Sequence, residues 1–148
     1  LEYLLEGCRL IEKSESENIQ NIEMQMQATL QTVYNGRSEF DKSIQAGKET
    51  VLLARKLNSK SSEGYALLNL SIAYREKMKA DSAELMANEA QKIAAELKDK
   101  RMEAGSLLAI VSVWEKQLQY KKILPYLERT LQLINESGAV DLKAVTLT

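Results

Sequence analysis

The sequence repeats itself at a spacing of 40 residues, and this repeat limits the folds that the chain can adopt. A shift of 40 residues places Tyr34 on Tyr74 and Tyr74 on Trp114. The shift also aligns apolar sets such as Leu30, Leu70 and Ile110, Val33, Ala73 and Val113, and Leu53, Ile93 and Leu133. Self-similarity at a fixed period of about 20–50 residues is typical of arrays in which each repeat packs against its neighbours. We therefore expect a stack of similar units.

The apolar residues within each repeat follow the spacing of an α-helix. In the second repeat they predict a helix over residues 62–77, with a stripe formed by Leu67, Leu70, Ala73 and Tyr74. They predict another helix over residues 81–98, with a stripe formed by Ala83, Met86, Ala87, Ala90, Ile93, Ala94 and Leu97. The alternation of β-branched and polar residues that marks a strand is missing throughout. The chain is therefore predicted to be all-α, built from antiparallel helix pairs.

A few residues indicate where helices begin and end. Asp81 followed by Glu84 predicts a capping box at the start of a helix, and Asn35-Gly36 predicts the end of one. Pro125 falls close to the start of the second helix of its unit. Because a proline in a helix interior removes a hydrogen bond, we expect this helix to begin late, with Pro125 in its first turn.

The 40-residue register places the whole chain in one array. We count three complete units, at residues 18–58, 59–99 and 100–138. The second helix of a partial unit precedes them at residues 1–17, and the start of a further unit follows at residues 139–148. Because both ends fall inside a unit and neither carries a polar cap, we expect a fragment of a longer chain. Exposed apolar ends would also favour self-association of the array.

The composition excludes several classes of function. The chain has no histidine and one cysteine, which removes Ser-His and Cys-His nucleophile pairs and most catalytic zinc sites. A net charge of −1 supplies no basic field for a nucleic acid. No run approaches the roughly 20 apolar residues that span a bilayer. We expect no enzyme activity, cofactor, metal, nucleic-acid partner or membrane segment in this domain.

The second unit carries a more specific pattern, which comprises Leu67, Leu70, Ser71 and Tyr74, followed by Ala83, Ala87 and Ala90. This pattern resembles the tetratricopeptide repeat in its longer form of about 40 residues. The other units fit less well, since Gln27 replaces a large apolar residue, and Gln31 and Val111 replace a small one. The resemblance implies a right-handed superhelix of helix pairs, an α-solenoid. An armadillo- or HEAT-like array, with repeats of similar length, is the alternative.

Tetratricopeptide arrays bind a peptide or protein segment in a concave groove lined by the first helix of each unit. On this chain the resemblance implies groove residues Gln25, Thr29 and Thr32, then Tyr65, Asn69, Ile72 and Arg75, then Ala109, Ser112 and Lys116. Asn69 is a candidate for pairing with a peptide backbone, and Arg75 for pairing with a carboxylate. The alternative for each is a solvated residue on a helix face. The family's clamp for an acidic C-terminus is missing.

The aromatic residues Tyr34, Tyr74 and Trp114 have a different expected role. Their position in the repeat places them between the two helices of each unit, so we interpret them as core residues rather than as a recognition ladder. The five methionines do not converge on one surface, and we interpret them as core residues as well.

Two functions stay open at this point. The first is a non-enzymatic module that binds a protein or peptide segment in the groove. The junction from Glu96 to Lys100 resembles those of bacterial sensory regions that precede histidine kinases or transcriptional regulators. The second is a structural scaffold without a groove ligand. The compartment, cytoplasmic or periplasmic, is not indicated by the sequence.

Overall fold

The computed structural model describes residues 1–11 and 17–137, and in these ranges it contains seven helices and no strand. The helices are α1 (Glu2–Ile11), α2 (Glu17–Gly36), α3 (Phe40–Lys56), α4 (Lys60–Glu76), α5 (Ala80–Leu97), α6 (Lys100–Lys116) and α7 (Tyr120–Ser137). The prediction of an all-α chain is confirmed for this part. The two helices predicted in the second unit correspond to α4 and α5. The further unit predicted at residues 139–148, and part of the leading one, lie outside the described residues.

The helices form two layers. Each helix packs against the next one along the chain, with Cα atoms within 8 Å of each other. Helix α4 also approaches α2 and α6 to this distance. Over the described ranges, no such approach joins α3 to α5 or α5 to α7. Helices α2, α4 and α6 therefore make a continuous layer, and α3, α5 and α7 stand apart from one another on its other side.

One turn geometry connects every pair of helices from α2 to α7. A residue with a left-handed backbone occurs every 20 residues, at Ser38, Asn58, Met78, Lys98 and Leu118. Between α4 and α5, the Lys79 N–H donates to the Tyr74 carbonyl and the Met78 N–H to the Arg75 carbonyl, both at 2.9 Å. These two bonds define the Schellman motif, which satisfies carbonyls at the end of a helix. The 40-residue repeat thus consists of two halves with the same turn.

The space between the layers is filled by small residues on one helix and large ones on the next. Ala83 and Ala87 of α5 are fully buried against a cluster that includes Ile110 and Trp114 of α6. Tyr34 is 6% exposed and Trp114 is 7% exposed. The interpretation of these two aromatic residues as core residues is therefore confirmed.

The predicted capping box at Asp81 and Glu84 is wrong. Helix α5 begins at Ala80, its N-cap residue is Lys79, and no side chain caps it. The turn fixes this start, because the left-handed residue Met78 is followed by a single non-helical residue, Lys79, before the helix. Asp81 lies in the first helical turn, where a negative charge favours the helix dipole.

The helix end predicted at Asn35-Gly36 is confirmed, since α2 ends at Gly36. The left-handed residue of this turn is Ser38 rather than the glycine. The start of α6 carries a capping side chain that the sequence had not indicated. The carboxylate of Asp99 accepts a hydrogen bond from the Met102 N–H at 2.9 Å.

The expected late start of the last helix is also wrong. Helix α7 begins at Tyr120 and contains Pro125 in its second turn. The first turn is stabilised by Ile123, which packs against the cluster around Trp114. Pro125 has no N–H, so the Lys121 carbonyl lacks its usual donor in the helix. Both residues are exposed. Water can bind that carbonyl, so the proline costs less here than in a buried helix interior.

Candidate functional site

A cleft of about 250 Å³ lies between α2 and α4 in the continuous layer. Its polar lining comprises Gln25, Gln31, Thr32, Ser61, Ser62, Tyr65 and Asn69. The structure thus brings together the predicted groove residues Gln25, Thr32, Tyr65 and Asn69. Thr29 and Ile72 are outside this lining. Because the lining is rich in amides and hydroxyls and carries no charged side chain, it suits a ligand that makes neutral hydrogen bonds.

Two amide side chains on α2 fix the position of α4 at this cleft. The Gln31 Nε2 donates to the Ala66 carbonyl at 3.0 Å, and the Asn35 Nδ2 donates to the Asn69 carbonyl at 3.1 Å. Gln31 is fully buried, and neither its Oε1 nor the Asn35 Oδ1 has a partner among the described residues. Gln31 and Asn35 lie one helical turn apart on α2, so they hold α4 at two points that are one turn apart.

Sequence reasoning missed this pair. It treated Gln31 only as a departure from the small residue of the repeat. The sequence does contain a sign of this contact: Gln31 is a large polar residue at a position in the repeat where the other units carry Ser71 and Val111.

Tyr65 lines the cleft and joins α4 to the start of α6. Its Oη donates to the Oδ2 of Asp99 at 3.1 Å, and Asp99 is the N-cap residue of α6. Burial raises the pKa of Tyr65, and the hydrogen bond to the Asp99 carboxylate raises it further. The phenol therefore stays protonated and holds two neighbouring helices of the layer together.

The predicted hydroxyl residues bond to their own helices. Thr29 and Thr32 donate to the carbonyls of Gln25 and Ala28, at 2.8 and 3.1 Å. Ser112 donates to the carbonyl of Leu108 at 2.8 Å. Because the hydroxyl protons are used in this way, these side chains offer acceptor lone pairs to a ligand.

The predicted cationic residues Arg75 and Lys116 meet at a carboxylate of this chain. Arg75 donates to the Glu76 Oε1 through Nε and Nη2, at 2.9 and 2.7 Å. The Lys116 Nζ lies 3.2 Å from the Glu76 Oε2. Sequence reasoning missed Glu76, because spacing alone does not show that α6 brings Lys116 next to it. Arg75 is therefore already paired in this structure.

The Glu76 cluster makes stability depend on pH. Burial raises the pKa of Glu76, but hydrogen bonds from Arg75 and Lys116 outweigh it, so the pKa is below the ordinary value of 4.5. A lowered folded-state pKa contributes stability that is present above the unfolded-state value and is lost as the pH falls through the folded-state value. We expect Glu76→Gln to lower the free energy of unfolding by about 0.5–1 kcal/mol at neutral pH.

Urea unfolding from pH 7 to about pH 3 checks this expectation, since carboxylates lose their pairs in that range. The difference between the two proteins should shrink towards zero at the acid end. Glu115→Gln is the matched control, because Glu115 is exposed and has no ion pair among the described residues. A difference that persists unchanged in acid would contradict the ion-pair account.

The described residues contain no group of three side chains that could hold a metal ion. None of the helices in these ranges has the length and apolar character needed to cross a membrane.

No protein-family model matches the chain, and no curated protein matches it.

Proposed function

We propose that this chain is a non-enzymatic module that binds a peptide or protein segment along the layer formed by α2, α4 and α6. The observation that carries this proposal is the α2–α4 cleft, which assembles Gln25, Thr32, Tyr65 and Asn69 on one surface. The tetratricopeptide-like superhelix belongs to the same proposal. Its support is the alternation of the layers, in which α4 approaches both α2 and α6. Arrays of this kind bind extended segments across several repeats.

The chemistry of the cleft defines the segment. Its lining is uncharged, and Arg75 and Lys116 are paired with Glu76, so the segment contributes backbone amides and uncharged side chains at this place. Asn69 lies half-buried at the cleft. Its side-chain carbonyl oxygen and its NH2 group are both available for hydrogen bonds to the backbone of a bound peptide. This role was expected for Asn69 from the sequence.

The larger setting that we propose is the input region of a bacterial signalling protein, of the histidine kinase or transcriptional regulator type. It rests on the resemblance of the Glu96 to Lys100 junction. In the structure this junction contains the left-handed residue Lys98 and the N-cap residue Asp99. The competing function is a scaffold without a groove ligand, which self-associates or spaces other domains. It predicts no capture of another protein at the cleft.

Photo-crosslinking separates these two functions. A crosslinking residue at the exposed position Thr32 lies at the cleft, and the same residue at the exposed Gln45 of α3 serves as the control. In cells that produce the natural polypeptide, we expect Thr32 to capture a segment of another protein that Gln45 does not capture. Crosslinks from Thr32 to copies of this chain alone would support the scaffold instead.

The role of Asn69 can then be tested with the captured segment as a synthetic peptide. We expect Asn69→Ala to weaken its binding about tenfold, or about 1.4 kcal/mol, which is the scale of one neutral hydrogen bond. The melting temperature should change little, because the bond between the helices uses the Asn69 backbone carbonyl. Gln45→Ala is the matched control on α3, and calorimetry provides both affinities. Equal losses for the two variants would remove Asn69 from the site.

A further inference from the structure

A second cleft, of about 360 Å³, opens between α3 and α5 over a different face of α4. Its floor is formed by Leu67, Leu70 and Tyr74 of α4, and its walls by Val51 and Leu52 of α3 and Met86 of α5. The cleft exists because α3 and α5 do not approach each other. Leu67 and Leu70 at its floor are each 2% exposed, so the accessible apolar surface belongs to Leu52, Tyr74 and Met86. We call it the outer cleft.

Leu52 is unusual for its position in the repeat. It is 64% exposed on the wall of the outer cleft. At the same register the following units carry the polar residues Lys92 and Gln132. Together with the half-buried Tyr74 and Met86, this exposed leucine makes a continuous apolar surface. Such surfaces mark interaction sites when a polar rim surrounds them.

The next pair of helices fills the equivalent space with its own aromatic rings. Tyr126 stands where α5 has Met86, and its ring packs edge-on against Trp114 at a centroid distance of 4.7 Å. Between α3 and α5 the corresponding side chains are Tyr74 and Met86. A methionine side chain is flexible and adapts to a bound partner.

The rim of the outer cleft carries one positive charge without a partner. The Arg55 Nε donates to the Glu63 Oε1 at 2.7 Å, and its Nη2 lies 3.5 Å from the Glu89 Oε2, so two carboxylates balance this guanidinium. Lys48 is exposed and has no ion pair among the described residues. It precedes Leu52 by one helical turn, which is about 6 Å along α3.

We propose that the outer cleft docks an amphipathic helical segment of another protein. A large apolar side chain of this segment packs against Leu52, Tyr74 and Met86, and a carboxylate one turn away pairs with Lys48. The spacing of Lys48 and Leu52 matches two side chains at i and i+4 on a partner helix, which is the usual way that helices occupy grooves.

A protein segment fits the outer cleft better than a small molecule does. Small-molecule sites enclose about 70–90% of the ligand surface. The wall residue Leu52 is 64% exposed, so the outer cleft is open along this side. The outer cleft and the α2–α4 cleft use different residues of α4, so this proposal stands independently of the proposed function.

Selection from a library of random peptides displayed on phage tests the proposal. The library is panned on the full chain and depleted on the Leu52→Lys variant, which carries the residue found at this register in the next unit. We expect the recovered peptides to combine leucine or phenylalanine at helical spacing with an acidic residue. For one synthetic peptide from this set, we expect Leu52→Lys to weaken binding at least tenfold in fluorescence anisotropy.

Charge reversal and a matched control make the result specific. Lys48→Glu should weaken the same peptide and restore the binding of its analogue with lysine in place of the acidic residue. Leu85→Lys is the control, because Leu85 is 54% exposed on α5 but does not line the outer cleft. All three variants should keep the melting temperature of the natural chain.

Three results would overturn the proposal. One is the absence of peptides that distinguish the natural chain from Leu52→Lys. Another is an equal loss of binding for Leu52→Lys and Leu85→Lys. The third is a peptide that a small apolar dye displaces and that binds Lys48→Glu as tightly as the natural chain. This result would identify a nonspecific apolar pocket.

Discussion

Replacing Trp114 with alanine is expected to lower the free energy of unfolding by about 3–5 kcal/mol. The indole is 7% exposed and belongs to a cluster that joins α5, α6 and α7. Its neighbours include the fully buried Ala83 and Ala87, whose short side chains cannot move into the vacated volume. The variant also loses the edge-on contact with Tyr126, which is worth about 0.5–1.5 kcal/mol in comparable aromatic pairs.

Urea unfolding followed by circular dichroism measures this effect, because the variant lacks the single tryptophan of the chain. Tyr120→Ala is the control, since Tyr120 is 61% exposed and the change should stay within about 0.5 kcal/mol. A loss below about 1 kcal/mol for Trp114→Ala would mean that the indole is not a core residue. The repeat register that aligns it with Tyr74 would then be wrong.

The helices of this chain were predictable because burial imposes a period. Residues such as Leu67 and Leu70 recur on one side of α4, and each is 2% exposed. The 40-residue shift worked for the same reason, since every unit fills the same space between its two helices. Periodic burial leaves a trace in the sequence whatever the identity of each apolar residue.

The turns were less predictable. A left-handed backbone usually selects glycine or asparagine, but these turns use Ser38, Met78, Lys98 and Leu118 besides Asn58. The Schellman hydrogen bonds and the packing of the flanking helices impose the conformation at these positions. The turn geometry, rather than a capping side chain, determines where each following helix begins. The capping box predicted at Asp81 was therefore wrong.

The candidate site was predictable only in part. A resemblance assigned Tyr65 and Asn69 to a groove, and the structure places both at the α2–α4 cleft. It did not indicate that Glu76 would pair with Arg75 and Lys116, because the last of these lies on another helix. It gave no sign of the outer cleft, which depends on the separation of α3 and α5 rather than on any motif.

Gly47 illustrates a constraint that acts between helices, and its replacement by alanine is expected to destabilise the protein. A Cβ atom at this position would collide with the Gln31 Nε2 and lie 2.8 Å from the Leu70 Cδ2. Gln31 is fully buried and bonded to the Ala66 carbonyl, so it cannot move aside without losing that bond. Overpacking of this kind costs about 1–3 kcal/mol, against a gain of up to about 1 kcal/mol in helix propensity.

Thermal unfolding of Gly47→Ala should therefore show a net loss, whereas Gly36→Ala should be neutral or stabilising, because a Cβ at Gly36 meets nothing within 4 Å. The double variant Gln31→Ser with Gly47→Ala recreates the combination of Ser71 and Ala87 at the same register in the next unit. It should be less unstable than the sum of the two single changes, since the serine vacates the space that the new methyl group needs. If the two changes in stability are strictly additive, the Gln31 side chain does not require a glycine at position 47. The small size of Gly47 would then be needed only to accommodate Leu70.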